Sequence, residues 1–179
     1  MSHQFNLTEN GTTILLTAGK YCDRDIEINV NVPSTGTELV NSIIDRTIAG
    51  EYVNNDVTLI GGYAFSQCKL TRVVFPNVVQ IDIGAFNNCS PLEFADFSSV
   101  NSVKGIGATA FRYCSDFATL ILRNQEVARL VGVNALDGTA IAAGTGYVYV
   151  PDNLVDSYKT ATNWATYASQ IKPLSELEE

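Results

Sequence analysis

The stretch IGGYAFSQC, from Ile60 to Cys68, carries a motif that the chain contains three times. Two later stretches, IDIGAFNNC and IGATAFRYC, share its Ala-Phe-x-x-Cys core and end at Cys89 and Cys114. A degenerate fourth copy, VGVNALDGT, lacks both the Phe and the Cys. The motif alanines recur after 21, 25 and 25 residues: Ala64, Ala85, Ala110 and Ala135. Either the cysteines act together chemically, or each stretch is one turn of a repeating structure.

Each of the three copies is followed by a short alternating segment: LTRVVFP (70–76), LEFADFS (92–98) and FATLILR (117–123). A period of about 20 to 29 residues with Leu-x-x-Leu-x-Leu spacing is typical of a leucine-rich-repeat solenoid. Residues two apart in a strand point to the same face of a sheet. One set of side chains should therefore face the core: Val73, Phe75, Ala95, Phe97, Leu120 and Leu122. The sequence predicts a β-rich solenoid of three to four coils.

The three motif cysteines hold the same position in successive coils, so we expect Cys68, Cys89 and Cys114 to form a structural column of buried thiols. A disulfide or a shared metal ion is the alternative interpretation of that column. No two cysteines have the Cys-x-x-Cys spacing of a zinc or thioredoxin-type site, and the one histidine, His3, lies near the terminus. We therefore expect no metal site. We expect Cys22, outside the repeat, to be a packing residue.

The stretch IGGYAFSQCKLTRVVFP resembles the BspA-type leucine-rich repeat, whose pattern is Ile-Gly-x-x-Ala-Phe-x-x-Cys-x-x-Leu-x-x-Ile-x-Ile-Pro. The resemblance runs from about Leu59 to Pro151. In the second copy, Ile83-Gly84 is shifted relative to the Ile-Gly of the pattern. The resemblance implies a leucine-rich-repeat solenoid that closes with a Val-Pro segment followed by Tyr and Trp.

Residues 1–33 lack the repeat motif, and their turn and strand signals predict a small N-terminal β module. Asn10-Gly11 is a hairpin turn signal, TTILLT follows it as a strand, and DIEINVNVP alternates apolar with polar residues up to Pro33. The segment TENGTTILLTAGKYCDRDIEINVNVP resembles N-terminal segments common in phage and prophage tail-associated proteins. That resemblance implies a module for anchoring or assembly.

Two further segments flank the repeats, which we assign to residues 59–150. Residues 34–58 are interpreted as a linker and N-terminal cap, in which Thr37 either N-caps a short helix or begins an irregular first coil. Residues 151–179 are interpreted as a C-terminal capping helix with Asp152 as its N-cap. Repeat proteins need such caps because the last coil otherwise exposes the edge of its core.

Composition argues against several classes of function. The formal net charge is -8 and the eleven Lys and Arg are scattered, so no basic patch for nucleic acid is expected. No apolar run approaches the roughly 18 residues of a membrane helix. The first residues lack the features of a Sec signal peptide, so a non-exported chain is expected. Because there is no histidine-based dyad, Gly-x-Ser-x-Gly elbow or phosphate loop, we expect neither catalysis nor a cofactor.

The surface of the repeats is the candidate binding site. Strand positions between the core residues point outward and should align across coils in two columns. One column contains Arg72, Phe94, Thr119 and Tyr147, and the other contains Val74, Asp96, Ile121 and Tyr149. The strongest contacts are expected from four exposed anchors: Phe94, Ile121, Tyr147 and Tyr149. Solenoid sheets commonly bind partners on such a face. The alternative is that another part of the chain, or a second copy of it, covers the patch.

These features favour a non-enzymatic bacteriophage virion or tail-associated protein that uses its repeat face for attachment or assembly. The expected partner is another protein, either a virion component or a host surface molecule. A glycan is a second class of partner, and a homo-oligomer stays open. One alternative is a BspA-like bacterial surface adhesin, which requires an export signal. Another is a phage-encoded inhibitor of a host defence protein, acting in the host cytoplasm.

Overall fold

The computed structural model describes residues 13–14, 37–39, 46–101 and 103–177, with only the backbone of the first two ranges. Its strands form two sheets, the front sheet and the back sheet, and are numbered along the chain. The front sheet contains β3 (Ala49–Val53), β5 (Lys69–Val74), β7 (Phe94–Phe97), β9 (Thr119–Leu122), β10 (Tyr147–Val150) and β11 (Ile171–Pro173). The back sheet contains β1 (Thr13–Ile14), β2 (Thr37–Leu39), β4 (Val57–Ile60), β6 (Gln80–Ile81) and β8 (Gly105–Ile106).

Within each sheet the strands follow one another in chain order, and every described pair is parallel. From β3 to β9 the chain alternates between the front and back sheets, so each repeat adds one strand to both. Parallel neighbours that are also consecutive repeats, with few helices, fit a repeat fold.

The core lies between the two sheets. The side chains predicted to point inward from the front strands are all fully buried, which confirms that prediction: Val73, Phe75, Ala95, Phe97, Leu120 and Leu122. From the back sheet, Ile60, Ile81 and Ile106 pair in register and are buried opposite them. In the second copy, Ile81 is thus the residue equivalent to Ile60 and Ile106. Asp82 follows it, where the first and third copies have a glycine. Ile83, which the shifted Ile-Gly pair contains, is 51% exposed.

The Ala-Phe-x-x-Cys motifs form the wall that leads from the back sheet to the front sheet. The backbone N–H of Phe65 donates to the carbonyl of Ala85 (2.8 Å), and that of Phe86 donates to Ala110 (2.7 Å). The small alanines allow this close approach of successive backbones. The Phe65 and Phe86 rings stack with centroids 5.0 Å apart, and Phe111 continues the stack at 5.2 Å. Each motif is therefore fixed by the next coil.

This wall holds residues in a left-handed backbone conformation that the motif did not predict. The residue before each cysteine position has a positive φ: Gln67 (66°), Asn88 (60°), Tyr113 (63°) and Gly138 (71°). A non-glycine residue pays about 1–2 kcal/mol for this conformation. Bonds between coils compensate for that cost, because the N–H of Gln67 donates to the carbonyl of Asn87 at 2.8 Å.

At the N-terminal end, of the two alternatives at Thr37 the short helix is not formed: Thr37–Leu39 is strand β2 and pairs with β4 with a shift of register, which agrees with an irregular first coil. Parallel pairing along an open sheet edge outweighs the local preference of a threonine for an N-cap. The hairpin signal at Asn10-Gly11 and the alternating segment 25–33 lie outside the described residues. In the front sheet, β3 pairs with β5, so repeat-type pairing begins before residue 59.

At the C-terminal end, the one α-helix among the described residues, α1 (Val155–Thr160), is short and has no side-chain N-cap. The prediction that Asp152 caps it is wrong: its Oδ1 accepts a hydrogen bond from the N–H of Ser175 (3.1 Å). The described residues also contain four 3₁₀ segments, two before the helix and two after it: Val133–Leu136, Asp152–Leu154, Trp164–Gln170 and Leu174–Glu176. Strand β11 follows and extends the front sheet, so the end of the chain is more than a capping helix.

Side chains of the C-terminal segment cover the backbone of residues 128–130, which lies next to β8 at the end of the back sheet. The hydroxyl of Tyr158 accepts a hydrogen bond from the N–H of Ala128 (2.9 Å), and Trp164 Nε1 donates to the carbonyl of Ala128 (2.7 Å). Asn163 Nδ2 donates to the carbonyl of Leu130 (2.7 Å). These bonds satisfy groups that a further strand would otherwise have to satisfy.

Candidate binding face

The structure places the eight predicted residues on the outer side of the front sheet, which we call the front face. Strand register aligns Arg72, Phe94, Thr119 and Tyr147 in one column. It aligns Val74, Asp96, Ile121 and Tyr149 in the other. The columns continue beyond the predicted set, because Glu51 pairs with Arg72, Val53 with Val74, and Lys172 with Tyr149. Sequence reasoning missed these three because their strands, β3 and β11, lie outside the copies of the motif.

Ile121 is not the exposed anchor that the sequence predicted. Its side chain is only 1% exposed, whereas the other seven residues are half-buried. Its register neighbours are Asp96 and Tyr149, and Arg123 reaches past it to form an ion pair with Asp96. Because Ile121 is buried between these neighbours, it belongs to the floor of the face.

The charges of the front face are paired within the face. Arg72 Nε lies 3.1 Å from Glu51 Oε1, and Arg123 Nη2 lies 3.1 Å from Asp96 Oδ2. Lys172 Nζ lies 2.8 Å from Glu176, whose hydrogen bond and charge raise the pKa of that lysine. Exposed pairs of this kind contribute little to stability. Their consequence is a face of balanced charge on a chain whose net charge is -8.

Cations also hold two aromatic rings of the face in place. The guanidinium carbon of Arg72 lies 3.6 Å from the centroid of the Phe94 ring, and Lys172 Nζ lies 4.8 Å from that of Tyr147. Tyr147 in turn meets Tyr149 edge-on, with centroids 6.3 Å apart. Such contacts restrict the rotamers of the rings before any partner arrives.

The three motif cysteines are buried, and none is in a disulfide. The thiol of Cys89 donates to the carbonyl of Phe65 (2.8 Å), and that of Cys114 donates to Phe86 (3.0 Å). The hydrogen bond with Cys89, together with burial, raises the pKa of Cys114, so this thiol is protonated. In the fourth copy Thr139 takes the cysteine position and donates to the carbonyl of Leu136 (2.7 Å). A small, buried donor is what this position requires, which supports a structural role.

The described part of the chain holds neither a metal-binding cluster nor a membrane-spanning helix. No group of three His, Cys, Asp or Glu there could hold a metal ion. Nor does it contain a helix of the length and apolarity that crossing a membrane requires. Cys22 and His3 lie outside the described residues.

A cavity of about 390 Å³ lies where the C-terminal segment meets the back sheet, and the sequence did not predict it. Its lining comprises residues 127–131 and 161–164, and Arg129 is its one charged member. Arg129 Nη1 donates to the carbonyl of Val103 (3.2 Å), so the cation is already engaged.

Comparison with known proteins gives one family. The model described as "BspA type Leucine rich repeat region (6 copies)" matches residues 47–145. The match confirms the BspA-type repeat, begins before β3 and indicates no catalytic family. Repeat domains of this kind generally mediate protein–protein interaction. No curated protein matches the chain.

Proposed function

We propose that this chain, which belongs to the BspA-type leucine-rich repeat family, binds a protein partner through its front face. The observation that carries the proposal is the alignment of Phe94, Tyr147 and Tyr149 in two columns, outside the core. Aromatic side chains carry a large share of the binding energy at protein interfaces. The cations stacked on Phe94 and Tyr147 lower the entropy that these rings lose on binding.

The extended surface follows from the way the repeats stack. We infer that the coils form a short β-rich solenoid, in which each coil contributes one residue to each column. Consecutive parallel strands in both sheets and the stack of Phe65, Phe86 and Phe111 support this architecture. In such an array each added coil enlarges the binding surface, and the residue that the coil contributes to each column determines the local chemistry of that surface.

The setting we propose is a bacteriophage particle, in which the chain is a non-enzymatic virion or tail-associated protein used for attachment or assembly. Two sequence features support this setting. The N-terminal segment resembles those of tail-associated proteins, and the chain is poor in charge, with 17% charged residues. The partner is then a virion component or a host surface molecule.

Mass spectrometry of purified virions tests the setting, and the expected result is the chain at a fixed copy number per particle. Absence from the particle contradicts the setting but not the binding face. To test the face, phage carrying Phe94→Ala with Tyr147→Ala should lose incorporation or host adsorption by about tenfold or more. The matched control removes two exposed tyrosines outside the face, Tyr63 and Tyr113. Equal loss in both variants refutes the role of the front face.

A further inference from the structure

We propose, building on the function above, that the front face holds its partner by one uncharged aliphatic or proline side chain inserted between Phe94 and Tyr147. The slot lies over Thr119, whose strand β9 runs between the strands of the two rings. Thr119 is half-buried and forms the floor. The occupant is a side chain of an extended protein segment.

The rings form the two walls of this slot, because each has one face covered by a cation from the far side. Arg72 belongs to β5 and lies over Phe94 on the side away from β9. Lys172 belongs to β11, on the other side of β10 from β9, and its Nζ lies over the Tyr147 ring although its register partner is Tyr149. In the proposed slot, the uncovered face of each ring is the one toward Thr119. The result is a pair of opposed aromatic faces with a threonine between them.

The width of the slot selects the shape of its occupant. Two strand spacings separate β7 from β10, which places the rings about 9.6 Å apart. Carbon atoms in contact lie about 3.5–4.0 Å apart, so about 2 Å remains between the two carbon layers of a group that touches both rings. A flat aromatic ring has one such layer and leaves a gap. The paired methyl groups of valine or leucine, or the two sides of a proline ring, fill the space.

The charge distribution selects an uncharged occupant. Arg72 is paired with Glu51 and Lys172 with Glu176, so neither cation needs a carboxylate from a partner. A glycan in the slot would need several polar partners for its hydroxyl groups. The charged side chains beside the slot are already in ion pairs, so a protein side chain fits the chemistry better. Binding without new ion pairs is insensitive to salt.

The test uses a displayed library of random twelve-residue peptides, panned against the purified full chain. Enriched peptides should share a proline, valine or leucine position and bind with less than about twofold change between low and high salt. Thr119→Trp fills the slot and should weaken these peptides by about tenfold or more. The matched control is Thr58→Trp, the same change at a half-buried threonine on β4 of the back sheet. It should bind like the wild type.

The outcomes separate this inference from the function on which it rests. Peptides weakened by Tyr149→Ala but unaffected by Thr119→Trp overturn the slot and leave the front face as the binding surface. Peptides unaffected by any front-face substitution overturn both. Loss of binding when the shared aliphatic position is changed to alanine supports the slot directly. A library that yields no peptide dependent on Thr119, or a glycan array bound through Thr119, also overturns the inference.

Discussion

Replacement of Phe86 by leucine tests whether the ring stack between coils stabilises the protein. Phe86 is fully buried, with the Phe65 ring at 5.0 Å on one side and the Phe111 ring at 5.2 Å on the other. Each stacked pair contributes about 0.5–1.5 kcal/mol beyond burial. Since leucine retains most of the apolar volume, Phe86→Leu should lower the free energy of unfolding by about 1–3 kcal/mol. The fourth copy, with Leu136 at this position, shows that the turn itself accepts leucine.

Urea unfolding followed by circular dichroism measures the effect as a lower midpoint at an unchanged m-value. A double-mutant cycle then isolates the stacking. Phe65→Leu combined with Phe86→Leu should show a coupling of about 0.5–1.5 kcal/mol. Phe65→Leu combined with Phe111→Leu is the matched control, because Phe86 lies between these rings, and its coupling should be below about 0.5 kcal/mol. Equal couplings for the two pairs would refute the stacking argument.

Three further predictions concern the C-terminal segment and the turns. Trp164→Phe keeps a ring but loses the bond to the carbonyl of Ala128, and calorimetry should show a loss of about 1–3 kcal/mol. Gln67→Gly relieves a left-handed φ and should raise the stability to urea by about 1 kcal/mol, with a smaller gain for Asn88→Gly, since asparagine tolerates this conformation. Burial raises the pKa of Tyr158 above 10.0, so its contribution to stability is complete below pH 10 and is lost as the pH rises through the raised value. Above pH 10, the melting temperature should therefore fall more steeply with pH for the wild type than for Tyr158→Phe.

Periodicity and alternation predicted the part of the fold that repeats. A two-residue spacing was enough to place Val73 and Phe75 in the core. Side chains two residues apart in a strand lie on the same face of the sheet, and the apolar set takes the face that is buried. The same rule put Phe94 and Tyr147 outside, in columns that the strand register reproduces. Whether those columns bind a partner stays a prediction.

What the sequence could not show depends on contacts between distant segments. Ile121 obeys the alternation, yet it is buried, in a part of the face where Arg123 forms an ion pair with Asp96 of the neighbouring strand. Thr37 has the residue type of an N-cap but lies in a strand, since β4 offers it a partner. β11 has only three residues and one buried apolar side chain, so no alternation was visible in it.

The spacing of the turns bears on how this protein can vary. From the buried isoleucine to the cysteine the copies have one length, as in Ile60–Cys68, because bonds between coils tie each backbone position to the next. The corner from a front strand to the back sheet differs: Ile81 follows Phe75 by six residues, whereas Ile106 follows Phe97 by nine. Three of the four residues by which the second coil exceeds the first are thus added at this corner, away from the columns, and the fourth lies between the cysteine and the front strand. Evolution can alter the chain length of a coil and the chemistry of its outer face independently.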